Sequence, residues 1–176
     1  EELMAKSTTY KVYDASLDYA QVFERNMDKG NDDSDTGRTI ASKGGQTKVT
    51  MVITEAVKDL MIADGIPEKS MGHDMFKGPD ENGNYRYAAK RPWNSPFTDE
   101  ETGEIKPFGE PNVVDYNATV EAGEQVPWDS EVNIGNGTEA KVKLSIYKNG
   151  SKRIVRLESV GVTKLVEYVS NGEVRF

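Results

Sequence analysis

The chain has 176 residues, 36% of them hydrophobic, with a net charge of −8, one histidine and no cysteine. That length carries one domain with a modest core, and the lack of cysteine excludes disulfides and thiol chemistry and fits a reducing cytoplasm. No apolar run approaches the roughly 20 residues of a membrane helix, and no signal-peptide pattern is present.

Met4-Ala5-Lys6 reads as a native start, with Glu1, Glu2 and Leu3 as an expression scar and residues 4–176 as one domain. Residues 17–25 alternate loosely around Tyr19, Val22 and Phe23 and predict a first strand. Residues 28–45 are rich in Asp, Asn, Ser, Thr and Gly and predict a long loop closed by Gly44-Gly45. Val49, Met51 and Ile53 share one face of a half-buried strand over 46–53. Thr54 can cap a helix carrying Val57, Leu60 and Met61, stopped by Gly65 and Pro67. Residues 68–84 are turn-rich, and 85–93 predict a strand ended by Pro92 and Pro96. A polar loop over 98–111, with a hairpin tip at Glu101-Thr102-Gly103, precedes a short strand over 112–117.

The last third has the plainest pattern. Val142, Leu144 and Ile146 alternate with Lys141, Lys143, Ser145 and Tyr147. Asn149-Gly150 signals a hairpin turn, and 154–158 return as a strand that 160–169 continue. Five or six strands, one short helix after the second strand and no parallel βαβ rhythm predict an all-β barrel or sandwich with long loops.

Charge is segregated along the chain. Residues 98–139 hold eleven acids and one base, Lys106, so the remainder sums to +2. Residues 141–156 hold six bases and no acid, and 84–97 hold three bases and no acid. Local field steers an anion more than total charge does. The lone histidine, His73, rules out a Ser-His-Asp arrangement and a two-histidine metal site. No phosphate-cradling glycine motif occurs, and the acidic clusters lack calcium-loop spacing. The chain therefore reads as a binding protein without enzyme activity, cofactor or metal.

Single strands are bound by cations that meet phosphates and ring faces that meet bases. Two groups combine both. The first is Tyr85, Arg86, Tyr87, Lys90, Arg91, Trp93 and Phe97; the second is Lys141, Lys143, Tyr147, Lys148, Lys152, Arg153 and Arg156. Period-2 geometry sets Lys141, Lys143 and Tyr147 opposite the apolar face of their strand. In the first group either the tyrosines or Arg86 and Lys90 face the core, and Trp93 either stacks on a base or packs a strand end. Phe23 and Arg25 could line the same groove. Trp128, in the acidic stretch, reads as a core or loop anchor.

The order Ile134-Gly135-Asn136-Gly137-Thr138, the alternation over 141–146, and Val155-Arg156-Leu157-Glu158-Ser159-Val160 leading to Leu165-Val166-Glu167 resembles the C-terminal barrel of single-stranded DNA-binding proteins of short-tailed bacteriophages, the autographivirus (podovirus) type. Tyr19-Ala20, Thr47-Lys48-Val49, the helix that follows and the strand from Tyr85 to Lys90 extend the likeness over about 19–169. The resemblance implies an oligonucleotide/oligosaccharide-binding (OB) barrel whose helix follows the second strand. It also implies coating, protection and annealing of single-stranded DNA during phage DNA replication and recombination in the host cytoplasm, and contacts with the phage DNA polymerase and primase-helicase. Carried over onto this sequence, the candidate nucleic-acid-binding residues are Phe23, Arg25, Lys48, Arg86, Tyr87, Lys90, Arg91, Trp93, Lys141, Lys143, Tyr147, Lys148, Lys152, Arg153 and Arg156. One departure concerns the acidic tail with a terminal aromatic residue that ends the family's chains: here the sequence reads Glu173-Val174-Arg175-Phe176. Oligomeric state stays open, a homodimer included. Two rival readings are a phage structural or tail β-domain that binds a protein partner, and a metal-dependent nuclease built on the acidic loops.

Overall fold

A computed structural model describes residues 8–30, 34–98 and 100–167, with the side chains at 96–98, 105 and 106 outside that description. The expected start at Met4, the strand end at Val169, the chain end at 173–176 and the Phe97 ring lie outside the described residues. The elements in chain order are β1 (Thr9–Gln21), a 3-10 turn (Glu24–Asn26), α1 (Asp35–Ser42), β2 (Gln46–Ile53), α2 (Glu55–Ala63), β3 (Lys69–Ser70), β4 (His73–Asp74), β5 (Phe76–Lys77), β6 (Tyr85–Pro92), β7 (Asn94–Thr98), β8 (Ile105–Pro107), β9 (Asn112–Asp115), α3 (Tyr116–Ala122), β10 (Thr138–Asn149) and β11 (Lys152–Lys164).

Seven strands form one mixed sheet in the order β5-β6-β2-β1-β10-β11-β9. Alternation builds it: Val49, Met51 and Ile53 on β2, Tyr13 and Leu17 on β1, Val142, Leu144 and Ile146 on β10 and Leu157 and Val160 on β11 are buried together. Leu17 faces Met51 in the β1–β2 register, and Tyr13 faces Val142 in the β1–β10 register. Truncating one of these side chains, Leu144 for example, would cost about 2–5 kcal/mol through lost burial and the cavity left behind. Helix α2 closes one end of this core. Thr54 accepts the Val57 N–H as its N-cap, Met61 and Ile66 are fully buried, and the Tyr13 hydroxyl donates to Asp64 Oδ2 at 2.8 Å. Burial, with Asp64 next, pushes the Tyr13 phenol well above its ordinary range.

The β6-β2-β1-β10-β11 order, with a helix after β2, is OB-like. Three expectations need correction. The sheet is not closed into a barrel by strand pairing. Part of each free edge is already taken: β5 pairs with β6 at Arg86 and Tyr87, and β9 pairs in parallel with β11 over Ser159–Val162. Strands β6 and β11 are also in contact with each other and are bridged by a side chain, as described below. The number of elements also exceeds five or six strands and one helix, since α1 lies in the segment expected to be a loop and α3 follows the expected short strand. Finally, the first strand begins at Thr9 rather than Leu17 and ends before Phe23. The β7–β8 pairing places the expected tip at 101–103 between two strands. The turn of the last hairpin falls at Gly150-Ser151, because Asn149 and Lys152 already face each other and Gly150 supplies the positive φ of 66°.

Candidate nucleic-acid interface

The unclosed seam between β6 and β11 is a groove of about 840 Å³. Tyr87, Ile154 and Val155 form its floor. It is lined further by Pro67, Lys69, Ser70, Met71 and Met75, on and around the β3–β4 hairpin, and by Lys148, Gly150, Ser151, Lys152 and Arg153, at the β10–β11 tip. Ala88 and Lys90 line the rim from β6. Five of the lining residues are bases and none is an acid. Ile154 and Val155 also line a second hollow of about 400 Å³, with Ser42, Lys43, Pro92, Asn94, Ser95, Phe108, Tyr147 and Arg156, again without an acid among the described residues. Among the described residues of a chain of net charge −8, no carboxylate lines either of these two adjoining hollows.

Local structure explains how the cations come to stand there. Period 2 on β6 buries Tyr87 and Ala89 and turns Arg86, Ala88 and Lys90 outward, which resolves the two-face ambiguity in favour of core tyrosines. Burial pushes the Tyr87 phenol up to about 12. The tight Gly150-Ser151 turn brings Lys148 and Lys152 to the end of the ribbon, where both are exposed. Lys90, Lys148 and Lys152 have no ion pair among the described residues. Lys69 lies 3.7 Å from Asp74, a pair exposed on both sides. Arg153 Nη1 donates to the Gly65 carbonyl at 3.4 Å, resting on the end of the α2 segment.

The far end of the seam is closed by Arg91. Its guanidinium donates to the carbonyls of Phe108 at 2.9 Å and of Gly109 and Leu157 at 3.1 Å, and to Glu158 Oε1 at 3.3 Å. This one side chain ties β6 to β11 and to the segment after β8. Burial pulls its pKa down while Glu158 opposes the shift, and the group stays charged. Glu158 also accepts from Ser145 Oγ at 2.6 Å and pairs with Arg156 at 3.6 Å. Arg156 donates to the Tyr147 hydroxyl at 3.1 Å and lies 4.0 Å over the Phe108 ring.

The structure therefore brings Tyr87, Lys90, Tyr147, Lys148, Lys152, Arg153 and Arg156 of the expected set to one groove. The others are placed elsewhere. Phe23 is 4% exposed, so its ring offers no free face unless the core opens. Arg25 donates to the Ser130 carbonyl and to Asn133 Oδ1. Lys48 holds Asp28 at 2.9 Å and, with the Gly30 N–H, keeps that carboxyl below its usual range. Arg86 pairs with Asp18 at 2.6 Å and Lys141 with Asp14 at 2.7 Å. Lys143 borders a shallower pocket that contains Glu110 and Glu158. Trp93 is half-buried beyond β6 and lines neither hollow. Sequence reasoning missed Lys43, Lys69 and Met71. The signal for all three was a base or an apolar residue set among turn formers, in segments read only as loops.

No protein-family model matches the chain, and no curated protein matches it. Among solved structures, it is similar to the single-stranded DNA-binding protein from bacteriophage Enc34 in complex with ssDNA, at TM-score 0.50 and 12% identity over 90% of this chain and 87% of that one. The same phage protein in a second structure gives TM-score 0.49 and 12% identity over 97% and 88%. At this identity the likeness is one of fold.

Proposed function

We propose that this chain is a phage single-stranded DNA-binding protein that coats and protects single strands in the β6–β11 seam, with little sequence preference. The observation that carries the reading is a groove lined, among the described residues, by five bases and no acid in an acidic protein. Lys69, Lys90, Lys148, Lys152 and Arg153 sit on its rims, where phosphates can be met by charge and remain partly solvated. The floor is apolar, which suits base faces of any identity. The OB-like fold shared with a solved phage protein whose complex contains ssDNA supports the same reading. On this proposal the chain acts by occupancy rather than catalysis. Replication and recombination, with the phage polymerase and primase-helicase as partners, are the setting that the sequence resemblance implies.

The test is a titration of labelled oligonucleotide over a range of salt, with and without magnesium. If the five groove cations each meet one phosphate, the log–log slope is about −3.5, from roughly −0.7 per phosphate on single strands. Cleavage with magnesium, or no binding at low salt, would overturn the proposal.

A further inference from the structure

We propose that Met71 is a base-contacting residue, held over the groove by the β3–β4 hairpin so that its thioether packs on a base where other single-strand grooves use an aromatic face; this rests on the single-strand reading above. The rings around the seam are not open to stacking. Tyr87 and Tyr147 are 4% and 7% exposed, and Phe108 has the Arg156 guanidinium 4.0 Å above it. A base entering the groove can rest one face on the part-exposed Ile154 and Val155 of the floor and needs a second apolar partner for its other face.

Met71 is that partner by exposure, place and conformation. It is 91% exposed, the largest value among the exposed large hydrophobic residues described, and it lines the same groove as Lys69, Lys148 and Lys152. Ser70 pairs with His73, so Met71 and Gly72 form a two-residue turn, with φ of 51° and 81°. Both central residues of such a turn need positive φ, and Asn-Gly is the economical sequence. A methionine at that first position is disfavoured backbone for a residue with an unbranched apolar chain. It also exposes apolar surface that water penalises. An added Cβ on Gly72 would meet nothing within 4 Å, so the tip is held by its turn and not by packing. Both costs fall on a residue whose sulfur is polarizable and well matched to an aromatic face. The flanking cations would fix the phosphates on either side of the base it covers.

Two substitutions and two ligands test this. Met71→Ala and Met71→Asn are titrated with oligothymidylate and with an abasic chain of equal length, which keeps phosphates and sugars but lacks bases. The expected result is about a fivefold loss on oligothymidylate for both variants, the order given by sulfur–aromatic contact, and no loss on the abasic chain. Thermal midpoints should hold for Met71→Ala and hold or rise for Met71→Asn, since Asn tolerates positive φ. Carbon-13 methyl labelling of methionine adds a direct signal. The Met71 methyl, assigned by its absence in Met71→Ala, should move upfield by ring current with oligothymidylate and stay in place with the abasic chain. Equal losses on both ligands, no loss on either, or a methyl unmoved while oligothymidylate binds would overturn the role of Met71. Failure of the unaltered chain to bind oligothymidylate would instead overturn the single-strand reading beneath it.

Discussion

The body and the tip of the β10–β11 ribbon carry the same residue types with opposite fates. Toward the middle of the sheet, Lys141 is engaged by Asp14, and Arg156 shares Glu158 with Arg91 and Ser145. At the tip, Lys148 and Lys152 face solvent with no ion pair among the described residues. The first set holds strands together; the second set leaves its charge available. A cation already satisfied within the fold gains little from a phosphate, because the new interaction must replace one that exists. An unpaired cation releases a condensed counterion from the nucleic acid at no internal cost. Counting bases along a sequence treats body and tip alike, and the fold does not.

The largest effect that separates the body from the tip is on stability. Glu158→Ala would leave Arg91 and Arg156, whose side chains are 13% and 16% exposed, sharing no carboxylate. Removing one partner from a mostly buried charged cluster costs about 3 kcal/mol. A chemical denaturation curve should show the midpoint fall accordingly. An unchanged midpoint would mean that water screens the cluster as it screens a surface pair, and that the seam is closed by backbone contacts instead.

The matching change at the tip is functional. Lys148→Glu with Lys152→Glu should leave the thermal midpoint in place and weaken oligonucleotide binding about a hundredfold, from roughly 1.5 kcal/mol for each charged hydrogen bond to a phosphate that is removed. The salt slope should flatten by about 1.4, twice the value for one phosphate on single strands. Unaltered affinity would remove the tip from the interface. The same pair of reversals at Lys141 and Lys143 sharpens the contrast. Lys141 has a partner already, and Lys143 borders a pocket with two acids, so the loss there should stay within about threefold, under roughly 0.7 kcal/mol, as for ordinary surface positions. A loss as large as that at the tip would extend the bound strand across the outer face of the sheet.

How much of this was legible depends on whether a signal was local. Strand β2, its capped helix α2 and the β10 alternation were readable because burial on one face imposes a period within eight to twelve residues. The first half of β1 was hidden, since Tyr10 and Val12 are apolar yet 60% and 51% exposed, which blurs the alternation set by Tyr13 and Leu17. Helix α1 buries only Gly37 and α3 buries nothing fully, so neither leaves an apolar stripe in a polar sequence. Instead, Tyr116 of α3 settles against Gly161, where an added Cβ would come within 3.0 Å of its ring. The parallel β9–β11 pairing joins segments far apart in the chain and has no local mark. The interface divides in the same way. The tip cations were visible as a run of bases around a turn, whereas the seam is assembled from 67–75, 87–90 and 148–155, a juxtaposition that only the fold creates. Trp93, directly after the basic and tyrosine-bearing stretch of β6, looked like a natural base platform from sequence alone.

The smallest expected effect concerns that residue. The Trp93 backbone is locked into the sheet's end: its N–H donates to the Gly45 carbonyl at 2.9 Å, and its carbonyl accepts from Phe108 and Gly109 at 2.7 and 3.2 Å. The indole is half-buried and does not line the seam. Trp128, the other tryptophan, donates Nε1–H to the Val132 carbonyl at 3.2 Å inside the acidic stretch. Neither ring stands where the groove would bring a base. Oligonucleotide should therefore change tryptophan emission little, and Trp93→Phe should leave affinity within about twofold, roughly 0.4 kcal/mol, as at positions away from an interface. Strong quenching abolished by Trp93→Phe and kept in Trp128→Phe would give the opposite answer. It would place a base on the Trp93 ring, carry the bound strand past the Arg91 closure, and make the paired end of the seam part of the interface.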